Sequence, residues 1–177
     1  MSAATEHMRW MARNNAFANH LLLSACEGLS EEEFAAPGVS FFPSLMLTLS
    51  HNLLVDRYYI DALTEGGEGM GVRDSGAIPS VATLKAEQTV EDLKLIAFCD
   101  SLGEADLGRE VATDRGAEGT IPERIDCLLL HLFQHQIHHR GQAHAMLAGT
   151  RVKPPQLDEF YLRYDRQPGA TEYGAPL

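Results

Sequence analysis

Between residues 122 and 148 apolar side chains return at helical spacing, and two histidines fall inside the stripe they draw. Successive residues of a helix turn by about 100°, so each position can be placed around the axis relative to Leu132. Ile125, Leu128, Leu129, Ala143, Met146 and Leu147 lie within about 60° of that direction and form one face aimed at a core. His139 lies at about −20° and His135 at about −60°, both inside that face. His131 and His138, at about −100° and −120°, sit on its rim, and His144 lies on the other side at about 120°. His135 and His139 are spaced i, i+4, so their imidazoles are neighbours, close enough to chelate one ion.

Three further segments, 5–27, 43–64 and 80–101, carry the same periodicity. Breakers separate them: LSEEEFAAPG after the first, and the long EGGEGMGVRDSGAIP after the second. Ser80 is placed to cap the third helix, and Thr120 with Pro122 to start the fourth, as N-cap and first-turn residue. The stretch LGREVATDRGAEGTIP between them reads as an extended or hairpin-like connection with DRGAEG as its turn. Beyond Lys153-Pro154-Pro155, the short amphipathic QLDEFYLRY precedes a Gly/Pro-rich tail over 165–177 that is expected to be loosely ordered. Four long helices with little strand material predict an all-α four-helix bundle, one domain over 1–177 with a short C-terminal helical segment.

Charge narrows the partners. A formal net charge of −11 repels phosphate backbones and anionic lipid headgroups, so nucleic acid and membrane surfaces are not expected partners. No uncharged stretch is apolar enough to span a bilayer, and the N-terminus lacks the pattern of a secretory signal. Cys26, Cys99 and Cys127 are odd in number and lack CxxC spacing, and read as buried free thiols of a reducing compartment. The expected location is the cytoplasm.

A third histidine points into a core from a different helix. Around His51, the residues Leu47, Thr48, Leu54, Val55, Tyr58 and Ala62 all fall within about 60° on the wheel. One core-facing histidine is ordinarily satisfied by a carbonyl or hydroxyl. Three, from two helices, in a core with few other polar residues, are hard to satisfy that way, and a shared divalent metal ion is the simplest solution. The predicted ligands are His51, His135 and His139. The donor set suits zinc or nickel first, with iron and manganese as alternatives. A zinc-protease reading fails, because the general-base position of HExxH is here Gln136, which cannot take a proton.

A histidine within the second helix, followed about 80 residues later by HxxxHRGQ, resembles the DinB/YfiT-like superfamily of metal-dependent bundle proteins. NNAFANHLL (14–22), FFPSLMLTLSHNLLVDRYYIDAL (41–63) and 154–162 resemble further segments of that family. The resemblance implies His51, His135 and His139 as metal ligands, an up-down-down-up order that the long second connection can cross, and a homodimer. Leu45, Leu49, Leu53 and Ile60 form a second apolar stripe on the His51 helix, which predicts either a central position in the bundle or part of a subunit interface. Arg140 is expected to pair with a carboxylate of another helix, Asp56 being the candidate, and Gly141 to permit close helix packing. Gln142 and Tyr58 are placed to border the pocket, and Trp10 and Phe17 to lie in the core.

Three neutral histidines leave an ion with its full charge and an open position, the arrangement of catalytic rather than structural zinc. Such an ion can activate water for hydrolysis or deprotonate a substrate thiol. The resemblance implies the second, a transferase or isomerase that uses a low-molecular-weight thiol on a small-molecule substrate. A metal-dependent hydrolase is one alternative. A non-catalytic, metal-stabilised small-molecule-binding or stress-response protein is another.

Overall fold

A computed structural model describes residues 2–157 and 172–173, with the side chains of residues 73 and 74 excepted. Helix α1 spans Ala3–Cys26, α2 Glu31–Ala35, α3 Leu45–Leu63, α4 Val81–Ser101 and α5 Ile125–Ala148, with a two-stranded sheet of β1, Glu110–Asp114, and β2, Thr120–Arg124. Serines start the first four helices. Ser2, Ser30, Ser44 and Ser80 each accept a backbone N–H of the first turn, and Glu33 returns the bond to Ser30 as a capping box.

The four long helices form the predicted bundle. Arg13 meets Asp100 and Lys85 meets Glu27, so α1 and α4 run antiparallel. Ser50 bonds the backbone of Ile78 and Arg57 pairs with Glu87, so α3 and α4 run parallel. His51 meets His135 while Tyr59 meets His131, which makes α3 and α5 antiparallel. The order is therefore up-down-down-up. The crossover from α3 to α4 includes a tight 3-10 helix, Gly69–Ser75. The Asp61 carboxylate holds this crossover by accepting the N–H groups of Glu68 and Gly69, and Asp114 by accepting that of Met70.

Three expectations are corrected. The last long helix begins at Ile125, not at Thr120 and Pro122: residues 120–124 remain extended because they pair with 110–114, Pro122 opposite Ala112. Proline is tolerated there because a two-stranded sheet leaves each strand one unpaired edge. The breaker after α1 contains the short helix α2, whose Phe34 is fully buried. Cys26 and Cys99 are buried free thiols, but Cys127 is exposed. The stripe of Leu45, Leu49, Leu53 and Ile60 is buried within the chain itself, which agrees with the central position in the bundle, one of the two readings expected for it.

Ser80 caps α4 as expected, Phe17 is buried and Trp10 packs beside it. Beyond Leu157, the predicted C-terminal helical segment lies outside the described residues, as does the predicted tail except for Glu172 and Tyr173. Tyr173 rests on Phe17 and His20, with ring centroids 5.5 and 5.6 Å away. No helix among the described residues is long and apolar enough to cross a membrane.

Candidate metal centre

Helices α3 and α5 bring His51, His135 and His139 together, with one candidate ligand atom from each, all within 4.8 Å of one another. The Nε2 atoms of His51 and His135 are 2.9 Å apart. Two imidazole lone pairs at that distance repel unless a proton or a cation lies between them. Two nitrogens each about 2.0–2.1 Å from one zinc ion lie about 3 Å apart when the bonds are near right angles, so the pair fits a common ion. Burial, then the charges of His139 and His51, push His135 down to about 3, and burial also lowers His139. Both therefore stay neutral at pH 7, the form that binds metal. Zinc, nickel and iron all suit this donor set.

The other histidines stay apart, as the wheel predicts. His138 is exposed, and His144 bonds the Pro155 carbonyl at 2.9 Å on the far side of α5. Phe42 covers one side of the triad, its ring centroid 4.4 Å from that of His51 and 5.6 Å from that of His139. A cavity of about 310 Å³ that Phe42 does not line opens beside two of the imidazoles, lined by His51, His135, His131, Tyr58, Tyr59 and Arg115, with Val55 and Met70. Tyr58, predicted at the border, is there, with its hydroxyl donating to the Asp114 carbonyl. The hairpin adds Arg115, held by Glu123 through two hydrogen bonds of 2.9 Å. Arg115 also donates to the Tyr59 oxygen at 3.1 Å, which leaves the Tyr59 proton available to a ligand. Nothing in the helical periodicity signals the hairpin's part in this wall. A larger cavity, about 480 Å³, lies between α1 and α5 beside Asn14, Ala18 and Ile137, and the triad does not line it.

Below the imidazoles lies a buried polar layer, which corrects the expectation of few polar core residues. Every long helix supplies a pair spaced i, i+4: Asn15 and Asn19, Asn52 and Asp56, Gln88 and Asp92, Gln136 and Arg140, all buried. Arg140 donates to Asn15, to Asn19 at 3.0 Å and to Gln136 at 3.4 Å. Those two asparagines donate in turn to Asp92, and Gln88 donates to both Asp56 and Asp92. The expected direct pair of Arg140 with Asp56 is thus replaced by a relay through amides to Asp92, with Asp56 the second charge felt by Arg140. Burial raises Asp56 to about 8, with Asp92 adding to it, and raises Asp92 to about 7. The layer was signalled on the same wheel: Gln136 falls at about 40° and Arg140 at about 80° from Leu132. Gly141 does not serve close packing, because a Cβ there would meet no atom within 4 Å among the described residues.

The model of the DinB family matches residues 1–170. The chain belongs to the DinB family. Among solved structures this DinB protein is similar to the crystal structure of a DinB-like protein from Bacillus cereus, with a TM-score of 0.63 at 17% identity over 80% of this chain and 89% of that one. At that identity the likeness speaks for the fold. No curated protein matches the chain.

Proposed function

We propose that this DinB protein is a cytoplasmic metal-dependent enzyme that activates a low-molecular-weight thiol for transfer to a small molecule or for its isomerisation. The observation that carries the reading is the convergence of three imidazoles, two of which, His51 and His135, line a cavity of about 310 Å³, near the lower limit of small-molecule pockets. His51, His135 and His139 would hold zinc or nickel, with iron or manganese as alternatives. Among the described residues no carboxylate or thiol joins the triad, which supports an open position rather than a structural site closed by four protein ligands. When bound, the ion supplies the Lewis acidity that lowers the pKa of a coordinating thiol. Among the described residues no carboxylate lines the cavity to act as a general base, which favours a nucleophile that the ion itself deprotonates. Tyr59, oriented by Arg115, would donate a hydrogen bond to the substrate, and Phe42 would keep water from the side of the triad it covers.

Hydrolysis is the second reading, and His131 is the observation in its favour. Its ring lies 6.1 Å from that of His135 at the cavity wall, where an imidazole can accept a proton.

The test starts with metal analysis of protein purified without a nickel column. Equimolar metal in the wild type, lost in His51→Ala, His135→Ala and His139→Ala and kept in His138→Ala, is expected. Equal loss in all four variants would refute the ligand assignment. Glutathione, bacillithiol and mycothiol are then offered with a chlorinated dinitrobenzene. Conjugation that requires the metal and survives His131→Ala supports thiol transfer. Metal-dependent ester hydrolysis abolished by His131→Ala, without thiol conjugation, would replace it with the hydrolase reading.

A further inference from the structure

Two adjacent histidines on α5 have opposite fates: His139 belongs to the triad, and His138 does not, although their ring centroids are only 4.9 Å apart. Gln142 touches both, lying three residues after His139 and four after His138, on the same side of the helix. Its Oε1 is 2.8 Å from His139 Nδ1, and its Nε2 is 2.9 Å from His138 Nε2. An amide oxygen only accepts, so His139 must carry its proton on Nδ1, which leaves the Nε2 lone pair for the triad. An amide nitrogen only donates, so the Nε2 lone pair of His138 is occupied and its proton is on Nδ1.

We propose that Gln142 is the positioning residue of the triad, a single amide that prepares His139 as a ligand through Nε2 and withholds His138 from the same role. The inference rests on the metal reading of the triad and deepens it. Partners of this kind fix the tautomer and ring orientation of ligating histidines, and their loss costs about 10–100-fold in metal affinity. His139 depends on this partner for its orientation, whereas the Nδ1 of His135 has no hydrogen-bond partner among the described residues. The choice of an amide over a carboxylate also has a consequence. A neutral acceptor adds no negative charge beside the ion, so the three-imidazole site keeps its Lewis acidity.

The experiment measures Zn²⁺ affinity by competition with a chromophoric chelator, with helicity followed by circular dichroism. Gln142→Ala is expected to weaken binding about 10–100-fold, while Gln142→Glu, which still accepts from His139, binds within about threefold of wild type or more tightly. His138→Ala should stay within about threefold, because His138 depends on Gln142 and not the reverse. Wild-type affinity in Gln142→Ala, or a Gln142→Glu protein as weak as Gln142→Ala, overturns the proposal. Nitrogen-15 NMR of the histidines in wild-type protein provides a readout that needs no variant to fold. Protonation of His139 at Nδ1 is expected, and protonation at Nε2 overturns the proposal. Should the wild type take up none of zinc, nickel, iron and manganese, the metal reading falls, while the tautomer measurement still judges Gln142.

Discussion

The Gln136 amide donates to the backbone carbonyl of Asn52 at 3.1 Å, joining the residues that directly follow His135 and His51. This bond sets the register of α5 on α3, so the imidazoles one residue earlier on each helix meet at 2.9 Å. It also places Gln136, at the general-base position of HExxH, against the α3 backbone and Arg140, fully buried. Gln136→Glu would complete the HExxH pattern while burying a carboxylate against the Asn52 carbonyl and beside Asp56. We expect it to lower stability at pH 7.5 by about 1–3 kcal/mol, with part of the loss recovered near pH 5, where the new group can take a proton and donate. Urea denaturation at the two pH values measures this, and a pH-independent loss would refute the argument.

Helical periodicity carried the bundle and the triad because both are one-dimensional patterns: residues on one stripe of a helix share one environment. The position of His135 and His139 on an apolar face was enough to single them out. The same test, applied to Asn15 and Asn19 or to Gln88 and Asp92, would have shown the polar layer, in which amides link Arg140 to Asp92 and Asp56 across the helices. What periodicity does not encode is pairing between segments. Residues 120–124 read as a helix start because Thr120 and Pro122 suit one, but ladder bonds to 110–114 decide the matter. The placement of Arg115 on Tyr59, and hence the cavity wall, depends on that hairpin.

The polar layer predicts a pH signature for the metal-free protein. Asp56, raised to about 8, keeps its proton in the folded state over a range where the unfolded carboxyl, near 3.8, has lost it. The folded state then binds more protons, so stability falls as pH rises through that window, with a slope of up to about 1.4 kcal/mol per pH unit. Asp92, raised to about 7, acts in the same direction. His135, lowered to about 3, acts oppositely at acid pH, so comparison with a variant is needed to isolate Asp56. Asp56→Asn retains an acceptor for Gln88 and removes the titration. Its stability should exceed that of wild type increasingly from pH 5 to pH 8, and parallel pH profiles would refute the prediction.

Glycines separate a required conformation from a tolerated one. Gly69 has φ +56°, and a Cβ on it would lie 2.5 Å from the Asp114 carboxylate that accepts the next backbone N–H, that of Met70. Gly69→Ala is therefore expected to destabilise the crossover by about 1–3 kcal/mol. Gly141 lies within α5, where a side chain meets no described atom within 4 Å, so Gly141→Ala should stabilise the protein by about 0.5–1 kcal/mol. Thermal unfolding of the two variants checks both signs.

Phe42 supplies the last prediction, about access rather than affinity. Its ring lies against His51 and His139, just before Ser44 caps α3, and it does not line the cavity. It offers the ion no donor atom, so its truncation removes shielding and leaves the three imidazoles in place. Phe42→Ala should therefore release zinc to a chelator several-fold faster, while equilibrium affinity changes by less than about threefold, because the ligands and their partners set the bound-state energy. Stopped-flow chelation paired with equilibrium competition separates the two quantities. An equal fall in affinity and rise in release rate would instead mean that Phe42 holds the imidazoles in position.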